Sequence, residues 1–226
     1  LIGGIGHALQ GGLEARGAKV TGLSRRDTGL DLSDEASIEG QLSALSGPFD
    51  AILVASGALE INGARPEKAL SQLTQSALVE QFIVNAAGPA LILKHAPRLL
   101  PKDRPSQFAA LSARVGSIGD NKIGGWYSYR AAKAALNQII HTGAIELART
   151  HKQAVCVALH PGTVQTPFTA KYLGRHPRLL QPKPLLTSYP YLRVLAPIKQ
   201  ASFLTGQENQ CHGEKARCYS GRSAFA

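Results

Sequence analysis

The sequence predicts an α/β protein, a single domain built around a doubly wound parallel sheet. Short apolar runs alternate with longer stretches of helical period, which is the pattern of successive βαβ units. The run Ala51–Ala55 is apolar throughout, as expected of a central parallel strand buried on both faces. A length of 226 residues and a hydrophobic content of 44% suit one globular domain with a sizeable core.

The helices are predicted from their periods and their ends. Ile5, Leu9 and Leu13 recur on one face of the first helix, and Gly17 follows as a natural C-terminal stop. A second helix is expected where acidic residues occupy the first turn after residue 34. In chain order, strands are predicted at 19–23, 30–32, 51–55, 108–111 and 154–159, and helices at 4–16, 34–45, 75–99 and 126–149.

Loops separate these elements. Residues 57–73 are predicted as a loop with a short helix, residues 113–125 as a glycine-rich loop, and Gly88-Pro89 as a bend in the long helix. Beyond about residue 169, prolines interrupt the pattern, and 189–195 is a candidate for one short element. Residues 205–226 show neither the helical nor the strand period, so the chain divides into a sheet domain, 1–170, and an atypical region, 171–226.

The net charge of +10 is carried mostly by the C-terminal region. Residues 171–226 hold 9 Lys and Arg against 2 Asp and Glu, whereas residues 1–170 hold 16 against 13. The basic residues of this region are scattered among Pro, Gly and Ser and are not gathered with aromatics on one element. Nucleic-acid binding is therefore not predicted.

Neither a membrane span nor an export signal is predicted. No uninterrupted apolar stretch reaches the ~18 residues that a membrane span needs. The start of the chain lacks the charged and apolar segments of a signal sequence. Cys156, Cys211 and Cys218 form no obvious disulfide framework, so we expect a cytoplasmic protein in a reducing environment.

Tyr129 and Lys133 form the most informative pair, because a spacing of four places both side chains on one helical face. A phenol near a fixed ammonium has a lowered pKa, since the positive charge favours phenolate. A tyrosine that exchanges a proton at neutral pH needs a shift of roughly 3 units, about 4 kcal/mol. Tyr127 has only Ala131 at this spacing. The pair also fits an ordinary helix surface contact, and the spacing alone leaves both readings open.

Two further motifs indicate a dinucleotide. Gly3-Gly4-Ile5-Gly6 opens the first helix, where glycines allow the close approach of a pyrophosphate and the helix N-terminus supplies free N–H groups. Ser24-Arg25-Arg26 follows the strand whose end lies beside the adenosine ribose in such sites, and arginine suits a 2′-phosphate through forked hydrogen bonds. Taken singly, the first motif also fits a flexible start and the second a solvated loop.

Residues 1–170 carry these motifs in the order found in the classical short-chain dehydrogenase/reductase family, which the chain resembles, in the branch of C-factor/Sniffer-like carbonyl reductases. The resemblance implies a Rossmann-like parallel sheet and NAD(P)-dependent interconversion of alcohols and carbonyls. With Arg25 at the ribose it implies NADP(H) as the cofactor. It also implies a small-molecule carbonyl or alcohol substrate, a substrate loop within 171–226, and assembly into homo-oligomers.

The resemblance also implies roles for individual residues. Tyr129 matches the family's acid/base, Lys133 its helper and a ligand of the nicotinamide ribose, and Asn85 the helix asparagine that holds a water in a proton relay. The remaining matches concern the cofactor: the phosphate loop, the adenosine end and the segment that holds the nicotinamide carboxamide. The phosphate loop is matched by Gly4, Ile5 and Gly6, the adenosine end by Ser24, Arg25, Asp31 and Leu32, and the carboxamide segment by Pro161, Gly162, Val164 and Thr166. Without the family, Asn85 reads as a kink-satisfying amide and Asp31 as a turn residue.

The chain departs from the family at the residue that polarises the substrate oxygen. The family has a Ser-Ser pair at the end of the strand before the tyrosine helix, and its second serine is catalytic; here the pair reads Ser112-Ala113. Neighbouring residues on a strand point to opposite faces. We expect Ser112 to serve if the strand ends there and re-aims it, with Ser117 in the next loop as the alternative.

Two other departures concern the framework. The family's opening strand would precede Leu1, so a first strand is expected to be missing, and the chain, which contains no methionine, to be truncated. The family's N-N-A-G segment reads Val54-Ala55-Ser56-Gly57, which bears on stability more than on chemistry. Residues 182–226 do not resemble the family's C-terminal helix and strand, and we expect an altered end there.

The function predicted from the sequence is NADPH-dependent reduction of a ketone or aldehyde, with Tyr129 as the proton donor. Two alternatives stay open. Ala113 favours a non-catalytic NADP(H)-binding sensor or signalling protein. The missing strand and the atypical tail favour a defective fragment of such a reductase.

Overall fold

The computed structural model describes residues 4–161 and 200–205, which form a five-stranded, entirely parallel sheet. The strand order is β1-β5-β2-β3-β4. The strands are β1 (Lys19–Ser24), β2 (Ala51–Ala55), β3 (Ser106–Leu111), β4 (Ala154–Leu159) and β5 (Gln200–Thr205).

Helices connect the strands and cover both faces of the sheet. Asp34 caps α2 by accepting the Ala36 N–H, and Thr74 caps α3 by accepting the Ala77 N–H. The helices are α1 (Gly4–Glu14), α2 (Glu35–Ser43), α3 (Gln75–Phe82), α4 (Gly88–Lys94), α5 (Ala96–Leu99) and α6 (Tyr127–Thr150), with a π-turn at Ile83–Ala87 and 3-10 turns at Leu70–Gln72 and Arg114–Gly116.

Alternate residues of the central strands serve two cores. Ala51, Leu53 and Ala55 of β2 pack under α1, whereas Ile52 and Val54 face α2, α4 and α6 on the other side. This alternation explains the continuous apolar run, because a strand buried on both faces has no polar face. The prediction of a doubly wound sheet is therefore confirmed.

Besides β5, which was not predicted, two of the predicted elements differ from the observed ones. Residues 30–32 form no strand; Asp31 and Leu32 lie in the turn before α2. The long helix predicted at 75–99 is divided by the π-turn Ile83–Ala87, and the helical stretch ends at Lys94 before the short α5. Proline at the start of both α4 and α5 explains part of this division, since Pro suits the first turn of a helix.

The predicted missing strand is not confirmed as a gap in the sheet. β5 lies between β1 and β2 and pairs in parallel with both, over six residues with β1 and five with β2. In the doubly wound order 3-2-1-4-5-6, a strand with these neighbours holds position 1, next to the point where the strand order reverses. A strand from the region 171–226 thus supplies the central ladder partners.

One helical stretch meets the length and composition of a membrane span, contrary to the expectation from sequence. Gln75–Lys94 comprises 20 residues and is apolar enough to qualify. Asn85, Ala86 and Ile92 within it are fully buried in the described fold, whereas Leu78, Val79 and Phe82 are exposed. The cytoplasmic location stays a prediction.

Candidate active site

The carboxyl ends of the parallel strands meet at one edge of the sheet. Ser24 ends β1, Ser56 follows β2, Ser112 follows β3, and His160 follows β4. Strand order reverses between β5 and β2, and ligands of doubly wound sheets bind at the carboxyl edge at such a switch point. The candidate site lies here, where α6 packs against β4 and the 3-10 turn Arg114–Gly116.

Tyr129 and Lys133 lie on the buried face of α6, with only 5% and 2% of their surfaces exposed. The Lys133 ammonium nitrogen is 5.8 Å from the centre of the Tyr129 ring. Nζ donates a hydrogen bond of 2.9 Å to the Leu111 carbonyl at the end of β3. The structure therefore joins the predicted pair to the carboxyl edge of the sheet.

Burial changes the expected charge of the lysine. Desolvation lowers the pKa of Lys133 to about 7. The prediction from sequence assumed a fixed ammonium, but a lysine with this pKa is only partly protonated at neutral pH. Lys133 can therefore gain or lose its charge in the pH range where Tyr129 would exchange a proton.

Asn85 lies in the π-turn Ile83–Ala87 and is completely buried. Its Oδ1 accepts the Ala58 N–H at 3.0 Å, and its Nδ2 donates to the Ala58 carbonyl at 2.8 Å and to Gln81 Oε1 at 2.7 Å. Leu59, the next residue of that loop, packs against Tyr129 and Ala113. Asn85 thus holds the loop that contacts the tyrosine, and single-turn π-bulges are frequent at functional sites.

Ser112, the expected serine of the site, has a hydrogen-bond partner within the protein. Its Oγ donates a hydrogen bond of 2.6 Å to Asn137 Oδ1 on α6, so its hydroxyl proton is engaged within the protein. Ala113, in contrast, is the residue that packs against Tyr129. β3 ends at Leu111, and both residues after it approach α6, Ser112 through Asn137 and Ala113 in the cluster that contains Tyr129. Ser117 begins the loop after the Arg114–Gly116 turn and lies next in the chain.

His160 ties the end of β4 to the same turn. Its Nδ1 accepts the Arg114 backbone N–H at 3.1 Å, which leaves the ring proton on Nε2. Burial is the main cause that lowers the pKa of His160 to about 4; the Arg114 charge acts in the same direction, and a hydrogen bond with the Ser112 backbone opposes both. His160 is therefore neutral at physiological pH and acts as a fixed hydrogen-bonding group.

The comparisons with known proteins agree with this geometry. A family model described as enoyl-(acyl carrier protein) reductase matches residues 4–182, well over half of the chain. The chain belongs to the short-chain dehydrogenase/reductase family. The chemistry shared by this family is NAD(P)-dependent oxidoreduction.

Individual relatives extend the match along the chain. The 1-hydroxy-2-glutathionyl-2-methyl-3-butene dehydrogenase of Rhodococcus sp. (strain AD45) is 29% identical over 189 residues, covering 76% of this chain and 79% of the relative. A short-chain dehydrogenase/reductase from Burkholderia multivorans, solved with bound NADP, is 26% identical, with a TM-score of 0.68 and 90% of each chain covered. The carbonyl reductase Sniffer of D. melanogaster, at 17% identity and a TM-score of 0.65 over 90% of this chain and 95% of its own, shows the same fold.

The sequence predicts the phosphate end of the site at the N-terminus of α1. The Ile5 side chain is buried in the core, so the predicted contact of Gly4, Ile5 and Gly6 would be made by backbone groups. The first N–H groups of a helix have no intrahelical partner and carry the positive end of the dipole. This terminus can therefore hold a pyrophosphate.

The predicted adenosine end lies beyond β1. Ser24 Oγ donates to Asp27 Oδ2 at 2.7 Å and so shapes the turn, whereas the Arg25 side chain is 78% exposed and 3.6 Å from Asp31 Oδ2. Hydrogen bonds from Ser33 are the main cause that holds the pKa of Asp31 below its usual value, and the Arg25 charge adds to them. Arg25 is the group here that can reach a 2′-phosphate.

A dinucleotide fits the residues present. Ser56, which directly follows β2, is 4% exposed, and its Oγ has no hydrogen-bond partner among the described residues. A buried hydroxyl without a partner at a switch point suits a bound ligand or water. Pro161 closes the described part of this edge; the predicted contacts Gly162, Val164 and Thr166 lie outside the described residues.

Sequence reasoning missed four polar residues of the site: Glu67, Gln81, Ser128 and Asn137 are linked by hydrogen bonds to the residues above or to the start of α6. Asn137 is four residues beyond Lys133, so helical spacing places it on the face of α6 that carries Lys133. No local pattern could indicate the contact between Glu67 and Ser128, because 61 residues separate them.

Proposed function

We propose that this short-chain dehydrogenase/reductase reduces a ketone or aldehyde to an alcohol with NADPH. The observation that carries the proposal is the buried Tyr129–Lys133 pair at the carboxyl end of β3, with Asn85 holding the adjoining loop. A phenol and an amine buried together at the carboxyl edge of the sheet are placed to exchange protons with a reacting oxygen.

Each residue has a distinct role in the proposal. Tyr129 donates its phenolic proton to the carbonyl oxygen, while a bound NADPH supplies the hydride to the carbonyl carbon. Lys133, when protonated, stabilises the phenolate that Tyr129 leaves behind, and it also binds the nicotinamide ribose hydroxyls. Asn85 takes part in the relay that returns a proton through water. Ser112, with its hydroxyl on Asn137, keeps the end of β3 against α6.

The preference for NADP(H) is supported by charge. Arg25 offers five N–H donors in a fork that matches a phosphate, and its exposed side chain can turn from Asp31 toward one. The Burkholderia relative was solved with NADP bound. The Rhodococcus relative is named as a dehydrogenase of a hydroxy compound, which supports an alcohol and carbonyl pair as the substrate class.

A homo-oligomer is part of this proposal. α3 and α6 pack against each other and leave apolar side chains of 40–47% exposure on their outer surfaces, namely Leu78, Val79, Phe82 and Ile145. Such side chains are candidates for burial against a second copy of the chain.

The second candidate function, an NADP(H)-binding sensor without turnover, is favoured by Ala113. This residue packs against Tyr129, where the family carries the serine that binds the substrate oxygen. A missing oxyanion donor typically costs a few kcal/mol of transition-state stabilisation.

The two functions are separated by NADPH fluorescence titration followed by NADPH oxidation with a panel of aldehydes and ketones. The reductase predicts binding and turnover, and Ala113→Ser raises kcat by roughly tenfold or more. Ser112→Ala, the matched control, leaves kcat within about threefold because its hydroxyl faces Asn137. Binding with no turnover in either the native chain or Ala113→Ser supports the sensor and contradicts the reductase.

A further inference from the structure

We infer that Glu67 is a positioning residue for Tyr129. It binds Ser128 at the start of α6 and so fixes the phenol of Tyr129, the next residue. This inference rests on the proposed function, since it assigns the residue that places the proposed proton donor. Glu67 lies in the loop after β2, far in sequence from α6.

Glu67 accepts hydrogen bonds from the start of α6 with both its backbone and its side chain. Its carbonyl accepts the Trp126 N–H at 2.5 Å. Its carboxylate accepts the Ser128 N–H at 3.2 Å on Oε2 and the Ser128 hydroxyl on Oε1. Glu67 is 4% exposed, and no cationic side chain of the described residues pairs with it. The helix start itself therefore compensates this buried negative charge.

The helix start needs such a partner. Gly124, Gly125 and Trp126 all have positive φ, and Trp126, at 55°, is in the left-handed region that bulky residues rarely adopt. Trp126 makes no side-chain cap for the helix. Helices usually obtain their cap from an adjacent Ser, Thr, Asp or Asn. Here the cap comes from Glu67, and it holds a strained turn in place.

The same loop is fixed at its other end near Asn85. Asn85 binds both backbone groups of Ala58, and Gln81 Nε2 donates to the Leu59 carbonyl at 2.9 Å. Leu59 then packs against the Tyr129 ring. One loop therefore connects the proposed relay asparagine with the helix start that carries the proton donor, and Glu67 is its anchor on α6.

Glu67 also shares a cavity with Tyr129. Its lining includes Glu67, Ser128 and Tyr129, Arg65 from the loop, and Glu80 and Gln81 from α3. Lys133 Nζ lies 5.8 Å from the centre of the Tyr129 ring. Among these charges, the Glu67 and Glu80 carboxylates oppose ionisation of the phenol, whereas Arg65 and a protonated Lys133 favour it.

Kinetics of substituted proteins test the positioning role. Glu67→Ala removes the side-chain cap and should lower kcat by about 10-fold to 100-fold, because small displacements of a reacting group are costly. Substrate KM and the Kd for NADPH should stay within about threefold. Glu67→Gln should keep kcat within about threefold, since its amide can accept the Ser128 N–H and donate to the Ser128 hydroxyl. Glu80→Gln is the control at the same cavity and should leave kcat unchanged.

A double-mutant cycle tests the route through Ser128. If Glu67 acts through Ser128, the Glu67→Ala/Ser128→Ala double variant should have a kcat within about threefold of Glu67→Ala alone. Losses that multiply, or a Glu67→Ala protein with native kcat, would overturn the inference.

A titration of the tyrosinate absorbance needs neither substrate nor cofactor. Subtracting the matching Tyr129→Phe protein isolates Tyr129 from the other five tyrosines. Glu67→Gln should lower the ionisation midpoint of Tyr129 by about 0.5–1 pH unit, as expected for the loss of a carboxylate within roughly 10 Å. An unchanged or raised midpoint contradicts the inference even if the protein turns over carbonyls. A native chain without turnover contradicts the proposed function, and the titration still decides the role of Glu67.

Discussion

Lys133 shows how burial decides the chemistry of a single residue. Among the residues that the structure describes, its amine donates one hydrogen bond, to the Leu111 carbonyl, and the surrounding core excludes the water that would solvate an ammonium. The resulting pKa of about 7 keeps both the charged and the neutral amine within reach at neutral pH. In the proposed reaction, Lys133 can therefore gain or lose its charge at the pH at which Tyr129 loses and regains its proton.

The same burial makes stability depend on pH. The folded Lys133 titrates near 7 and the unfolded one near 10.5, so the unfolded chain binds more protons between these values. The free energy of unfolding therefore falls as the pH falls from 10.5 to 7, because protonation of the buried amine is unfavourable in the folded chain. Below pH 7 this penalty has its full size. Lys133→Met removes this penalty. Relative to the native chain, its free energy of unfolding should rise by on the order of 2 kcal/mol more at about pH 6.5 than at about pH 9.

Urea unfolding of both proteins at the two pH values measures this difference. The comparison cancels the cost of leaving the Leu111 carbonyl without its donor, because that cost does not depend on pH. An equal stability difference at both pH values would show that Lys133 keeps an ordinary pKa in the folded chain.

For single residues, helical spacing was enough to predict that Tyr129 and Lys133 share a face. Spacing could not predict their burial, which lowers the pKa of Lys133 to about 7. Ser112 illustrates a different limit. Its direction depends on where β3 ends and on Asn137, a partner 25 residues away, and neither is visible in a local pattern.

Among the structural elements, the Arg114–Gly116 turn packs directly against α6. A Cβ on Gly116 would lie 2.9 Å from the Cβ and the carbonyl carbon of Lys133. Asn137 Nδ2 also donates to the Gly116 carbonyl at 3.3 Å. This close approach sets the distance between the loop after β3 and the helix that carries the proposed catalytic pair.

Gly116→Ala should separate that turn from α6, since Lys133 backbone atoms cannot move aside cheaply. We expect roughly a tenfold or greater loss of kcat and a loss of about 1–3 kcal/mol in stability. Gly119→Ala is the matched control, because nothing lies within 4 Å of the position that its added methyl group would occupy. Steady-state kinetics and thermal unfolding of both variants measure the effect; equal behaviour of the two would contradict the packing role of Gly116.

The elements themselves were largely predictable. β2 and β4 have the predicted bounds, and α6 begins and ends one residue later than predicted. The π-turn at Ile83–Ala87 was not predicted, because its sequence is apolar and helical in period; it depends on the hydrogen bonds between Asn85 and Ala58. The absent strand at 30–32 reflects the turn made by Asp31 and Ser33.

In the molecule as a whole, the position of β5 was the least predictable feature. Its neighbours β1 and β2 lie more than 140 residues earlier in the chain, and no periodic signal marks the region around it. The ladder groups of both neighbours need a partner, and Gln200–Thr205 supplies it. The sheet is thus continuous across the switch point at which the cofactor is proposed to bind.

A proline within β5 tests this arrangement. A central strand uses its N–H groups on both sides, and Ser202 is in register with Thr21 of β1 and Ile52 of β2. Ser202→Pro should lower the free energy of unfolding by about 3 kcal/mol or more and weaken NADPH binding, whereas Ser202→Ala keeps the N–H and should change little. Native stability in the proline variant would show that β5 is not a central strand.

The proposed activity depends on Tyr129 donating the proton in a carbonyl reduction by NADPH. The decisive experiment compares the native chain and Tyr129→Phe for NADPH binding, by fluorescence, and for NADPH oxidation with the aldehydes and ketones that the native chain reduces. We expect an unchanged Kd for NADPH and a loss of kcat of at least about 100-fold, since general acid catalysis typically contributes that much. A Tyr129→Phe protein that binds NADPH and keeps near-native turnover would show that another group donates the proton.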